Sequence, residues 1–319
     1  MRRFRLWALL ALTTAFFAAT TVSPAAAGGH AASAASLSCL GTFSSLGALT
    51  GSGTARTAGG ETLAREKDTE KYSGSTEIQQ NPGTPTAGVV DVYFHVVTAA
   101  NGRTGYVSAT DVDEQIAVLN LSFGGFYSGY GVDGVDTGFT FRLAGLDYSA
   151  NDAWYAQNTF ADEVAMKSAL KRGDSTDLNI YTTSGGGYLG WAYYPSITAS
   201  QQYGVLDGVV LHYGSLPGGN VKNYNMGFTA THEVGHWLGL AHTFDKGCQG
   251  YGDYIDDTPY QASPTSGCPI GRDSCTRGSG LDPIHNYMDY SYDSCYIQFT
   301  EDQTARAQKQ FAHWRLKRA

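Results

Sequence analysis

The segment THEVGHWLGLAH, from Thr231 to His242, places three histidines and a glutamate within twelve residues. Ala230 to Leu238 has helical character, with Gly235 its only weak point. On such a helix His232 and His236 stand four residues apart, so both imidazoles leave one face and can share one ion. Glu233 follows the first histidine, beside the ion without competing for it, where a carboxylate can polarise a bound water. Gly239 comes three residues after the second histidine, and glycine is the residue with which a helix ends in a left-handed turn. A chain that doubles back there brings His242 to the same ion as a third nitrogen. Three neutral imidazoles leave a fourth position for water, the arrangement of catalytic rather than structural zinc. The alternative, a histidine-rich amphipathic helix, gives no reason for the third histidine at this spacing.

The rest of the chain must supply the setting. Of its 319 residues the first are set apart: Met1-Arg2-Arg3-Phe4-Arg5 is basic, Leu6 to Val22 is mostly apolar, and Ala25-Ala26-Ala27 offers an A-x-A cleavage pattern. This reads as a secretory signal peptide over residues 1–27, the apolar run being short and badly flanked for a membrane span. No second stretch is long and apolar enough to cross a bilayer, so the mature chain is expected to be extracellular, off the membrane and monomeric. Residues 28–86 are low in complexity, rich in Ala, Ser, Gly and Thr, and read as a pro-segment or linker. The folded part is expected over residues 87–319. A formal net charge of −8, with no Lys/Arg stripe to neutralise phosphates, argues against a nucleic-acid partner, and the basic end Arg315-Leu316-Lys317-Arg318 reads as a solvated helix terminus. Cys248, Cys268, Cys275 and Cys295 cluster, and in an exported chain they suggest two disulfides in one of three pairings. A structural zinc site competes with that reading, although the spacings lack C-x-x-C pairs.

Val89 to Val97 is β-branched and aromatic, a strand in which His95 is a core or rim residue. Ser108-Ala109-Thr110-Asp111 opens a helix with Ile116, Leu119 and Phe123 on one face. Thr137–Leu146, Leu178–Tyr181, Leu189–Ala192 (a short edge) and Val205–His212 read as strands, and Asp162–Lys171 as a helix. No repeat is present. The pattern is an alternating α/β upper part, a central helix, and an irregular cysteine-bearing lower part closed by a helix near Thr300.

The full string H-E-x-x-H-x-x-G-x-x-H is the metzincin pattern, which also requires a methionine in a tight turn beneath the ligands. Asn286-Tyr287-Met288-Asp289-Tyr290 supplies one, in a chain with only four methionines. Gly235 to His242 with Thr243-Phe244, then Asp256-Asp257-Thr258-Pro259 and the Met288 turn, resemble the pappalysin family of metzincin metalloproteases. Upstream, Val92-Tyr93-Phe94-His95-Val96, Gln115 with Leu119-Asn120, Leu189-Gly190-Trp191-Ala192 and Asp207-Gly208-Val209-Val210 are similar to that family as well. The likeness runs from about Val89 to the C-terminus, with the motifs in the family's order.

The resemblance implies an α+β fold: a twisted mixed sheet, a zinc-binding active-site helix, and an irregular disulfide-stapled C-terminal subdomain ending in a helix. It implies a zinc endopeptidase acting on protein or peptide substrates. His232, His236 and His242 would bind zinc, Glu233 would be general base and then general acid, Met288 would form the Met-turn, and Tyr290 would help to stabilise the oxyanion, unless it is a buried structural tyrosine. The Leu189–Ala192 strand would pair with substrate backbone. The pairing favoured is Cys248–Cys275 with Cys268–Cys295. Cys39, left over, is either a latency switch that occupies the open metal position or an incidental cysteine. Asp253, Asp256 and Asp257 crowd a glycine-rich loop, a ligand set for calcium or a solvated acidic loop. Asp293, just past the Met-turn, is a candidate wall of a pocket favouring Arg or Lys after the cut. A catalytically silent zinc-holding module of the same fold is the alternative; the intact Glu233 argues against it.

Overall fold

The computed structural model describes residues 54–56, 86–275 and 280–316. The expected signal peptide over residues 1–27, most of the 28–86 segment with Cys39, and residues 317–319 lie outside those residues.

Strand β1 (Thr54–Arg56) is followed by β2 (Val89–Thr98), helix α1 (Ala109–Phe123), the short pair β3 (Ser128–Gly129) and β4 (Val132–Asp133), and β5 (Thr140–Ala150). Helices α2 (Asp152–Ala156) and α3 (Phe160–Leu170), strands β6 (Leu178–Thr183) and β7 (Gly190–Ala192), helix α4 (Pro195–Thr198) and β8 (Val209–His212) come next. Helix α5 (Phe228–Trp237) and the C-terminal α6 (Glu301–Trp314) complete the set. The main sheet has the order β1-β7-β8-β6-β2-β5. Strands β5, β2, β6 and β8 run parallel, while β7 is antiparallel to both β8 and β1. The fold is therefore the α+β, mixed-sheet arrangement.

Both sheet faces are covered. Val90, Val92, Phe94 and Val96 alternate along β2 onto one face, meeting Val112, Ile116, Leu119 and Phe123 of α1 and Val234 and Trp237 of α5. The opposite face packs Val97, Tyr181, Trp191 and Val210 against Val164, Met166 and Leu170 of α3. Ser108 of α1, Thr159 of α3 and Thr300 of α6 each close a capping box with the residue three positions on. The Thr159 box explains why α3 begins two residues before the expected Asp162. The expected Val205–His212 strand is shorter, since Gly204–Leu206 forms a 3-10 turn and Gly208 has φ of +106°. His95 is buried in β2, its Nδ1 2.9 Å from Asp147 Oδ2 and its Nε2 3.0 Å from Asn179 Oδ1.

The irregular segment after α5 is held by covalent and polar ties. Cys248 is bonded to Cys275 and Cys268 to Cys295, so these cysteines are not zinc ligands. Asp289 accepts hydrogen bonds from Gln261 Nε2, Thr265 N and Tyr290 N. Arg315 corrects one expectation. It is not solvated: it is 2% exposed, paired with Asp207 at 3.2 Å, and stacked 3.4 Å over the Trp237 ring. Its neighbours are the carbonyl end of α5 and a carboxylate from a distant turn, and together they offset the cost of burying the guanidinium.

Candidate metal centre

Helix α5 is buried along its whole length. Gln115 of α1 donates to Gly227 O at 3.0 Å, and Thr231 and Ser122 share a hydrogen bond at 3.0 Å, which fix its start. At its end the Gly239 amide donates to His236 O (2.8 Å) and the Leu240 amide to Gly235 O (3.0 Å). This pair of bonds is the Schellman motif, and Gly239 adopts φ of +89°. A Cβ on Gly239 would also stand 2.7 Å from Gln310 Cγ of α6. The same helix supplies Arg306, whose Nε donates to Gly239 O at 3.0 Å; Arg315, just past its end, donates to Trp237 O at 2.9 Å. Two cations thus meet the negative end of α5, and the return of the chain to His242 is fixed from α6.

The turn brings three imidazoles together. His236 Nε2 is 3.0 Å from His232 Nε2 and 3.1 Å from His242 Nε2. The other ring nitrogens face acceptors: His232 Nδ1 donates to Tyr287 O (2.6 Å), His236 Nδ1 to Leu240 O (2.7 Å), and His242 Nδ1 faces Asp245 Oδ1 at 3.5 Å. A carbonyl can only accept, so the protons sit on Nδ1 and the lone pairs on Nε2. Three lone pairs converging at this distance repel one another unless a cation lies between them. Zinc–nitrogen bonds of about 2.0 Å in a tetrahedron place ligands about 3.3 Å apart, so the donor set fits such an ion. Burial holds the His236 pKa well below the usual range, with His242 adding to the effect, which keeps the ligating neutral form.

Met288 is fully buried and packs against α5 at Gly235. Its backbone is fixed by Asn286, whose Oδ1 accepts from the Met288 amide at 2.9 Å while its Nδ2 donates to Gln303 at 2.8 Å. A Cβ on Gly235 would stand 2.4 Å from Met288 Sδ, so the one weak helix former in α5 makes room for the methionine. Tyr290 places its ring 5.0 Å from His242 and 5.6 Å from His232. Glu233 is buried under β7: a Cβ on Gly190 would come within 2.9 Å of Glu233 Cγ.

The remaining candidates lie elsewhere. Asp253 accepts from Thr258 Oγ1 at 2.8 Å, and Asp257 accepts from Thr300 Oγ1 and the Asp302 amide at the start of α6. With Asp256 exposed, these three do not form a metal-sized group among the described residues, whereas the histidines do. Burial pushes the Asp253 carboxyl up to about 7, against the bonds from Thr258 and Ile255. Asp293 is buried and accepts from the Met226 amide at 2.9 Å, tying the stretch after the Met-turn to the loop before α5. Sequence reading missed Arg306, Arg315 and Gln310, because nothing local marks a residue that reads a helix end from over sixty positions away.

Comparison with known proteins adds a second line of evidence. The sequence profile of the M43 peptidases, described as pregnancy-associated plasma protein-A, matches residues 177–312. An extracellular metalloprotease of Sordaria macrospora is 48% identical over 229 residues, covering 71% of this chain and 75% of that protein. One from Verticillium alfalfae is 49% identical over 222 residues, covering 68% and 73%. Among solved structures, a promirolysin mutant of Tannerella forsythia superposes with a TM-score of 0.61 at 27% identity, covering 79% of this chain and 91% of that one. Mature mirolysin of the same organism, in complex with a cleaved peptide, gives 0.57 at 28% identity, covering 72% and 97%.

Proposed function

The chain belongs to the M43, or pappalysin, family of metzincin peptidases and is a metalloendopeptidase, and on that premise we propose that it is a secreted zinc enzyme that cuts protein substrates with Glu233 as its general base. The observation that carries this reading is the triplet of Nε2 atoms at 3.0 and 3.1 Å, each ring turned by an acceptor at its other nitrogen. His232, His236 and His242 would hold the zinc. When bound, zinc would make an adjacent water acidic enough to act as a nucleophile near neutral pH and would polarise the scissile carbonyl.

The protein's own residues do the rest. Glu233 takes a proton from the attacking water and delivers it to the leaving amine. The Tyr290 hydroxyl stabilises the oxyanion that develops on the substrate. Met288 keeps the floor beneath the histidines rigid and apolar. Substrate adds as a strand to the outer edge of β7. That reading is supported by the antiparallel pairing of Thr54–Arg56 with Gly190–Ala192 along that edge. The Asp293 carboxylate would favour a basic side chain after the cut.

The layout proposed is a signal peptide over residues 1–27, a pro-segment over 28–86 carrying Cys39 as a latency thiolate, and a catalytic domain over 87–319. Relatives named extracellular support export, and no helix among the described residues is long and apolar enough to cross a membrane. Casein hydrolysis by the matured protein tests the mechanism. Activity should vanish with a zinc chelator and in Glu233→Ala; retained cleavage by that variant would end the assignment.

A further inference from the structure

The back layer of the sheet contains an ion pair that the chemistry above leaves unused. Glu163 and Lys167, one turn apart on α3, are both buried, with Nζ 2.8 Å from Oε1. A surface pair at this spacing would be an ordinary helix contact. Here the carboxylate also accepts from Trp191 Nε1 at 2.8 Å and from the Tyr193 hydroxyl at 2.9 Å. The ammonium donates to Leu206 O at 2.7 Å and Gly208 O at 3.3 Å, just before β8 begins, and lies 5.2 Å from the Tyr193 ring centre. One charge pair therefore fastens both β7 and the entry to its neighbour β8.

Stability alone is a poor reason for this arrangement, because apolar residues of similar volume commonly do as well as a buried ion pair. What directed bonds supply is position. Along β7, Trp191 faces α3, while Gly190 faces the opposite layer, with no room for a Cβ over Glu233. The strand is thus held from behind by Glu163 and stopped in front by the proposed general base. A sub-ångström shift of β7 would change its alignment with any chain paired to its outer edge.

We propose that Glu163, supported by Lys167, is a positioning residue of this peptidase: through Trp191 and Tyr193 it sets the height of the edge on which substrate pairs. The proposal rests on the reading that β7 pairs with substrate. It predicts that the pair governs how much catalysis gains from substrate length, and not the chemical step itself.

The test uses a quenched-fluorescent peptide matched to a cleavage site found in casein. A short form covers the residues flanking the scissile bond, and a long form extends along β7. In wild type kcat/KM should rise clearly from short to long, mostly through KM; no rise would remove the β7 reading, and the proposal with it. In Glu163→Leu/Lys167→Met, which leaves no charge stranded, the long-to-short ratio should fall about tenfold, as expected for two lost directed bonds, while turnover of the short form stays within about threefold. Tyr193→Phe, which keeps the ion pair and removes one donor, should lower the ratio by about threefold. Zinc content and Tm, measured alongside, identify folded protein. Folded variants that keep the wild-type ratio would overturn the proposal while leaving the β7 reading intact.

Discussion

Replacing Gly235 by alanine sets local propensity against packing. In a helix interior alanine is favoured over glycine by about 1 kcal/mol, so α5 considered alone should gain stability. The new Cβ would stand 2.4 Å from Met288 Sδ and 3.5 Å from Phe299 Cε1. Contact between carbon and sulfur needs roughly 3.7 Å, so the thioether must retreat by about 1 Å. Met288 is fully buried with Phe299 beside it, and overpacking of this kind costs about 1–3 kcal/mol. The net expectation is a loss of about 1 kcal/mol. The Met-turn also carries Tyr287 O, the acceptor for His232 Nδ1, so a displaced turn should weaken zinc binding by roughly tenfold, the scale of a disturbed ligand support. Thermal unfolding and competition with a zinc chelator measure the two effects. In a Met288→Ala background the clash is gone, and the same substitution should stabilise by about 1 kcal/mol. If Gly235→Ala stabilises the wild-type protein and leaves zinc affinity alone, Met288 does not press on the helix as described.

Other consequences can be checked separately. The fold favours the protonated form of Asp253, whose pKa is raised to about 7. Its contribution is therefore fully present below about pH 4 and is lost as pH rises towards 7, on the order of 4 kcal/mol. Urea unfolding of Asp253→Asn should lack that part of the decline. Replacing Cys268 and Cys295 by serine should cost about 3–4 kcal/mol from the 27-residue separation alone, seen as a lower denaturation midpoint. Asp293→Asn should flatten any preference for Arg or Lys after the cut in a peptide-library cleavage profile. An unchanged basic preference would remove Asp293 from the pocket.

The site was more legible in the sequence than its supports. His232, His236, Gly239 and His242 lie within one helix and one turn, where spacing fixes geometry, and Met288 was found because the pattern demands it. Strand β2 and helix α1 followed from side-chain type and capping residues. The β3–β4 hairpin was missed because Tyr130, with φ of +52°, stands where asparagine or glycine would signal such a turn. Glu163 and Lys167 read as an ordinary helix pair until tertiary packing places Trp191 and Tyr193 against them. Arg315 looked like part of a solvated tail because neither Asp207 nor the end of α5 is near it in the chain. Gly235 seemed a flaw in the helix, and the reason for it lies fifty-three residues on, in Met288.

Native mass spectrometry of the matured protein, beside His236→Ala, tests the metal centre most directly. One zinc ion per chain is expected in the wild type, with none retained by a folded His236→Ala variant. A full complement of zinc in that variant, or an active wild type without metal, would contradict the account.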